Sequence, residues 1–443
     1  MIKKLFITIL ISFLIIQESL SIDEIFFMNF FKPLKMTEVK LLWDSILKIT
    51  ILILKIKLLV NSIGDSLMDE GLNMNNDDIF DEITKRYGGR FHLKQNQFLS
   101  SLLIEARKIG LGIIEDLRKY NSKLPDVHIN FIDNKSFNAY SFKNNDSYYI
   151  GINKGTILNL YSFFNYSLSF PNVLSYIGNN ENEIEPDFNI NNLKEIIKPK
   201  DKQREIYAEG LFYFTTLFLI LHEYAHIING HLDFINKKTN FIFKIINSLG
   251  KKSELNSQTL EFDADCYAAN IVIKNIINRY QNNLNLQEDI QPYFKSLEEA
   301  FFLWTFATYT VFRFLGKNEY NFEKLDKYPH PYPGFRQHYT SALIPSIIQD
   351  SEYSHLNGSI LKKTLTAVKE FEDSLKIIKK HPVVPDYIDP INPIQINRTY
   401  TKKGLYQIYK IQNNWRNMRP LLKPFSKVNL APIKDINEEE LMK

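Results

Sequence analysis

The residues best suited to chemistry are His222-Glu223-Tyr224-Ala225-His226. They occupy the C-terminal half of an apolar stretch that is expected to be helical. Positions i and i+4 share one helix face, so both imidazoles can reach one ion. Glu223 between them is placed to hold a metal-bound water. The plain alternative is a solvated histidine pair at a helix end. The uncharged lead-in over residues 217–221 weighs against it, because it predicts burial. Burying unpartnered polar groups costs roughly 2–7 kcal/mol each, and a bound metal removes that cost.

A zinc site of this kind needs a third protein ligand and an open fourth position. Glu261-Phe262-Asp263-Ala264-Asp265 supplies acids on a second predicted helix. Glu261 and Asp265 again share a face at i and i+4. Glu261 can ligate the metal, and Asp265 can accept the other ring N–H of a ligand histidine. Asp263 lies about 160° from Asp265 on the helical wheel and is expected to be exposed. An acidic first helical turn, favoured by the macrodipole, would explain the acids but not their shared face.

Composition narrows the choice. The chain has 443 residues, of which 44% are hydrophobic and 23% charged, values that exclude a disordered or collagen-like chain. A net charge of +4, from 54 basic and 50 acidic residues, gives no argument for nucleic acid. The single cysteine, Cys266, excludes an intramolecular disulfide and any zinc site with several cysteines. It reads as a small buried residue. Among the nine histidines, His231 follows Gly230 just past the first helix, as a helix-end residue or a group behind a ligand. His92, His128, His338 and His355 have no ligating spacing. His381 has no arginine six residues on.

These residues need elements to hold them. Helical periodicity runs from Gln95 to Tyr120, and alternation over residues 127–132 predicts a strand. Short β runs at 137–142 and 148–152 flank a hairpin loop at Lys143-Asn144-Asn145-Asp146. Helices are expected at 155–168, 206–229, 260–278, 297–315 and 359–379. Residues 171–203 read as an exposed insertion. A proline-punctuated linker (Pro382, Pro385, Pro390, Pro393) and a basic tail carry no assigned chemistry.

The N-terminus is basic, then apolar, then small (Ser19, Ser21), so residues 1–21 read as a signal peptide or anchor. Residues 41–60 form a second apolar stretch with a polar stripe through Asp44, Lys48 and Lys55, fitting either a core helix or one lying on a membrane surface. The chain is then exported if 1–21 is cleaved, and cytoplasmic or membrane-associated if it is retained.

The paired motifs resemble gluzincin metallopeptidases, with H-E-x-x-H and a downstream E-x-x-x-D. His330-Pro331-Tyr332-Pro333-Gly334-Phe335-Arg336 is similar to the H-P-x-x-x-x-R element of the CAAX prenyl protease and heat-shock membrane protease family. The Lit-type phage-exclusion peptidases resemble that group too. Asn138-Ala139-Tyr140, followed by a strand and Gly155, is similar to the segment preceding the metal helix in those proteases. The four elements keep their order over roughly residues 124–340. The resemblance implies an α+β, zincin-like core with a small antiparallel sheet at 124–340. A helical extension at 22–123 precedes it, and a helical, proline-rich extension at 341–443 follows. It implies Zn²⁺ on His222, His226 and Glu261, Glu223 as general base, Asp265 behind a ligand, and a protein or peptide substrate. His330 and Arg336 would stabilise the oxyanion or grip the substrate backbone. The strand at 148–153 would receive the substrate. With no apolar run of about 18 residues near the core, the Lit-like branch is favoured over the membrane-embedded one. The alternative is a zincin-fold regulatory or binding protein whose flanking helices engage a partner or a membrane surface.

Overall fold

The computed structural model describes residues 75–95, 97–185, 196–238, 253–281, 295–316, 321–378 and 396–433. Both N-terminal apolar stretches and the proline-punctuated linker lie outside them. Residues Asn76–Lys443 belong to one compact unit. Its elements are α1 (Asn76–Thr84), α2 (Phe98–Tyr120), β1 (Val127–Ile132), β2 (Ala139–Asn144), β3 (Ser147–Asn153), α3 (Lys154–Leu168), α4 (Lys202–Ile228), α5 (His231–Lys238), α6 (Ser253–Gln281), α7 (Leu297–Leu315), α8 (Pro333–Gln349), α9 (Asn357–Ile377), α10 (Ile396–Thr399) and α11 (Lys402–Leu422). Helices dominate and one small sheet joins them, an α+β arrangement.

The sheet is mixed, which corrects the expectation of an antiparallel one. Its order is β1-β3-β2. β3 pairs antiparallel with β2, Ile150 opposite Ser141, and parallel with β1, Ile150 opposite Ile129. The hairpin expected at 143–146 is present, with Asn145 at φ 50°. Asparagine tolerates this left-handed region better than most residues. The hairpin folds β3 back between its two predecessors. Both edges of β3 are therefore occupied, and β2 is left as an edge strand.

α4 is the central helix and packs against α2, α3, α6 and α7. It is apolar all round because it is surrounded: Phe214, Leu217, Phe218, Ile220 and Leu221 are buried. Among the described residues it is the one helix long and apolar enough to cross a membrane, yet 89% of that window is buried inside the fold. Asp201 caps its start by accepting from the Arg204 amide at 3.1 Å.

The expected insertion at 171–203 is in part a built element. Arg204 is fully buried and its guanidinium donates to the carbonyl oxygens of Leu168, Phe170, Val173, Leu174 and Ile177 at 2.7–3.0 Å. A buried cation needs all its donors satisfied, and the turns over 170–177 wrap it to do so. The basic tail is also built in. Gly404, Ile408, Ile411, Trp415, Met418 and Leu422 form one buried stripe on α11, which packs on α6.

Candidate active site

The last turns of α4 present His222 and His226, and α6 crosses beside them with Glu261 and Asp265. The His222 and His226 Nε2 atoms are 3.2 Å apart. Each lies 3.4 Å from a carboxylate oxygen of Glu261. Zinc with bonds of about 2.0–2.1 Å at tetrahedral angles separates its ligand atoms by about 3.4 Å. His222 approaches Glu261 Oε2 and His226 approaches Oε1, and one donor atom from each of the three residues lies within 4.8 Å of the others, a cluster compact enough to surround one ion. The donor set of two imidazoles and a carboxylate also suits zinc chemically.

The surroundings point both Nε2 lone pairs inward. His222 Nδ1 lies 2.9 Å from Asp265 Oδ1. The oxygen sits off the ideal N–H direction, so the contact is an ion pair first. It still places the imidazole proton on Nδ1. Asp265 is itself held by Arg336, whose Nε and Nη2 each donate over 2.7 Å. Burial opposes charge on His222, but Asp265 and Glu261 overcome it and push its pKa up to about 10. The same balance runs the other way for the acids. Burial would raise Glu261, yet His222, His226 and His330 hold it well below the usual carboxylate range. The pocket is therefore built to welcome positive charge.

His226 is backed differently. Its Nδ1 faces His231 Nδ1 at 2.9 Å, and His231 Nε2 faces Asp263 Oδ2 at 3.0 Å. Asn229 Nδ2 donates to the same Asp263 oxygen at 2.6 Å. Asp263 is only 4% exposed, which corrects the expectation that it faces solvent. The wheel angle was right, but the opposite face of α6 meets the α4–α5 corner rather than water. That corner depends on Gly230, at φ 82°, where a side chain would strike the Phe425 backbone.

The third motif closes the site. His330 sits in the loop before α8 with Nδ1 3.4 Å from Glu261 Oε2, and its side chain is 58% exposed. Arg336 lies on the first turn of α8, buried over the Phe312 ring. Its guanidinium pairs with Asp265, comes within 3.7 Å of Glu261 Oε2 and lines the cleft. Gln258, missed in the sequence, anchors the His330 loop by donating to the carbonyls of Leu325 and Tyr328 at 2.8 and 2.6 Å. It in turn accepts from Gln407 of α11 at 3.0 Å. Cys266 is half-buried against a cluster that includes Phe335 and Tyr339, with its thiol pKa pushed up by burial, and takes no part.

A cleft of about 660 Å³ opens over these groups. Glu223 and His330 line it, as do Tyr87, Tyr140, Phe142 and Phe312. Strand β2 forms one wall. β3, the strand expected to receive a substrate, is central and has no free edge.

Residues 143–330 match the model of the Peptidase U49 family. The matched stretch is less than half of the chain, but it runs from the end of β2 through α4 and α6 to His330. The match indicates a peptidase family and supports a peptidase acting on protein or peptide. No curated protein and no solved structure matches the chain.

Proposed function

We propose that the chain is a zinc-dependent endopeptidase of the gluzincin type, closer to the Lit-type enzymes than to membrane-embedded prenyl and heat-shock proteases. The observation that carries the metal assignment is the cluster of His222, His226 and Glu261, with 3.2 Å between the two imidazole Nε2 atoms and 3.4 Å from each to a Glu261 oxygen. Helix α4, apolar but enclosed, favours the Lit-like branch.

When bound by those three residues, zinc supplies Lewis acidity to a water and to the scissile carbonyl. Glu223 lines the cleft beside them, takes the proton of the attacking water, and delivers it to the leaving amine. His330, on the cleft wall formed by residues 328–331, donates to the developing oxyanion. Arg336 and Asp265 hold His222 in register. Strand β2, not β3, takes the substrate as an added strand, because its outer edge is unpaired among the described residues and lines the cleft.

The test compares purified wild-type protein with Glu223→Gln for bound metal and peptide cleavage. Zinc retained in both, with cleavage lost in the variant, is the expected result. A wild-type protein that takes up no zinc would sink the metal reading. Equal cleavage by the variant would remove Glu223 from its role, and zinc without any cleavage would favour a binding protein.

A further inference from the structure

We propose that His231 and Asp263 are positioning residues for the metal centre, a buried imidazole–carboxylate pair that fixes the tautomer and ring orientation of His226. This rests on the zinc reading above, and it adds two residues that the motifs do not specify: His231, beyond H-E-x-x-H, and Asp263, at an x position of E-x-x-x-D.

Proton positions follow from the facing atoms. Between His226 and His231 the facing atoms are Nδ1 and Nδ1, 2.9 Å apart. One must donate and the other accept. A ligand bound through Nε2 keeps its proton on Nδ1, so His226 donates and His231 accepts. The His231 proton then sits on Nε2, 3.0 Å from Asp263 Oδ2. Asp263 accepts it together with the Asn229 amide at 2.6 Å. Each hydrogen bond runs in one direction, from the ligand outward to the carboxylate.

The pair is enclosed as such a device requires. His231 is 0% exposed and Asp263 4%. Solvent therefore cannot supply the alternative partner that would let His226 flip. The two ligand histidines are consequently supported unequally. His222 leans directly on a carboxylate already neutralised by Arg336. His226 reaches its carboxylate through a second imidazole, and that carboxylate is met by the His231 ring and the Asn229 amide. A neutral spacer delivers part of the Asp263 charge to His226 and raises its basicity as a ligand. Gly230 makes this reachable, because the left-handed turn after α4 returns the chain under the ligand one residue later.

The experiment measures zinc affinity of the full chain by chelator competition, for wild type, His231→Gln and His231→Leu. It adds the visible spectrum of the cobalt-loaded proteins. A glutamine amide can offer an oxygen to His226 and an N–H to Asp263, whereas leucine offers neither. The expected result is affinity within about threefold of wild type for the glutamine variant and a loss of about 10–100-fold for leucine, with a shifted cobalt spectrum. Equal affinity in all three, or equal loss in both variants, would show a packing role and overturn the proposal. Ring-nitrogen NMR of zinc-loaded, histidine-labelled wild type tests the same point without mutation. A proton on His231 Nε2 and on His226 Nδ1 is expected, and a proton on His231 Nδ1 would overturn it. A wild type that binds no zinc overturns the zinc reading itself, which separates that failure from failure of the pair.

Discussion

Arg336 and Asp265 meet as a two-pronged ion pair, with Nε to Oδ2 and Nη2 to Oδ1 both at 2.7 Å and both side chains at or below 5% exposure. Such a pair is costly to break from one side only, because the remaining charge stays buried. Arg336→Met is expected to lose about 3–5 kcal/mol of stability, read by urea unfolding of the metal-free protein. Arg336→Lys should recover only part of it, since a lysine cannot donate in parallel. A methionine variant within 1 kcal/mol of wild type, roughly the size of an exposed pair, would show that Asp265 does not carry a charge here.

His330 touches the ligand set through Glu261 but is not one of the three clustered donors. Its replacement by alanine should leave zinc content unchanged and lower kcat by about 10²–10³, the usual cost of one oxyanion donor. A fall in bound zinc without a fall in kcat per zinc would make it a ligand support instead.

Substrate placement on β2 has a signature that requires no protein variant. Along an added strand, successive backbone N–H groups point alternately toward and away from the neighbour. Peptide substrates N-methylated one position at a time should lose kcat/KM in an alternating pattern, each sensitive position costing about tenfold. A flat profile, or losses at every position, would exclude strand addition.

Asp233 gives a pH-dependent test away from the metal. Its carboxylate accepts from Lys143, Tyr148 and Lys427, tying α5 to the sheet and to the C-terminal segment. Burial would raise its pKa, but these partners hold it below the usual carboxylate range. A depressed folded pKa means that the stabilisation is present above the unfolded value and is lost as pH falls through the folded one. Asp233→Asn should therefore cost about 1.5–3 kcal/mol at pH 7, and the gap to wild type should close as the solution is acidified below about pH 4. A gap independent of pH would mean that packing, not charge, holds this junction.

What the chain discloses without coordinates follows helix geometry closely. His222 with His226, and Glu261 with Asp265, share faces by simple periodicity, and the structure brings both faces together. Periodicity gives direction, not surroundings: it points Asp263 away from Asp265, and the α4–α5 corner, not water, lies there. The relevant signal was Gly230-His231, a left-handed turn that returns a histidine to the helix it has just left. The α11 stripe was also readable, since its buried residues recur at intervals of three and four. Strand order was not. Local alternation locates three strands, but nothing in it says that the third inserts between the first two.

Helix α4 ends by leaning on a distant part of the chain. The Ile228 carbonyl accepts from the Lys427 amide at 2.7 Å, and Phe425 fills the space beside Gly230. Gln407 and Asn414 likewise complete the polar side of α6 beside Glu261. During vectorial synthesis these partners leave the ribosome after α4 and α6. A nascent chain can thus form the two helices early yet lacks the buttress that fixes their ends, so their final register is set only once this later segment has docked.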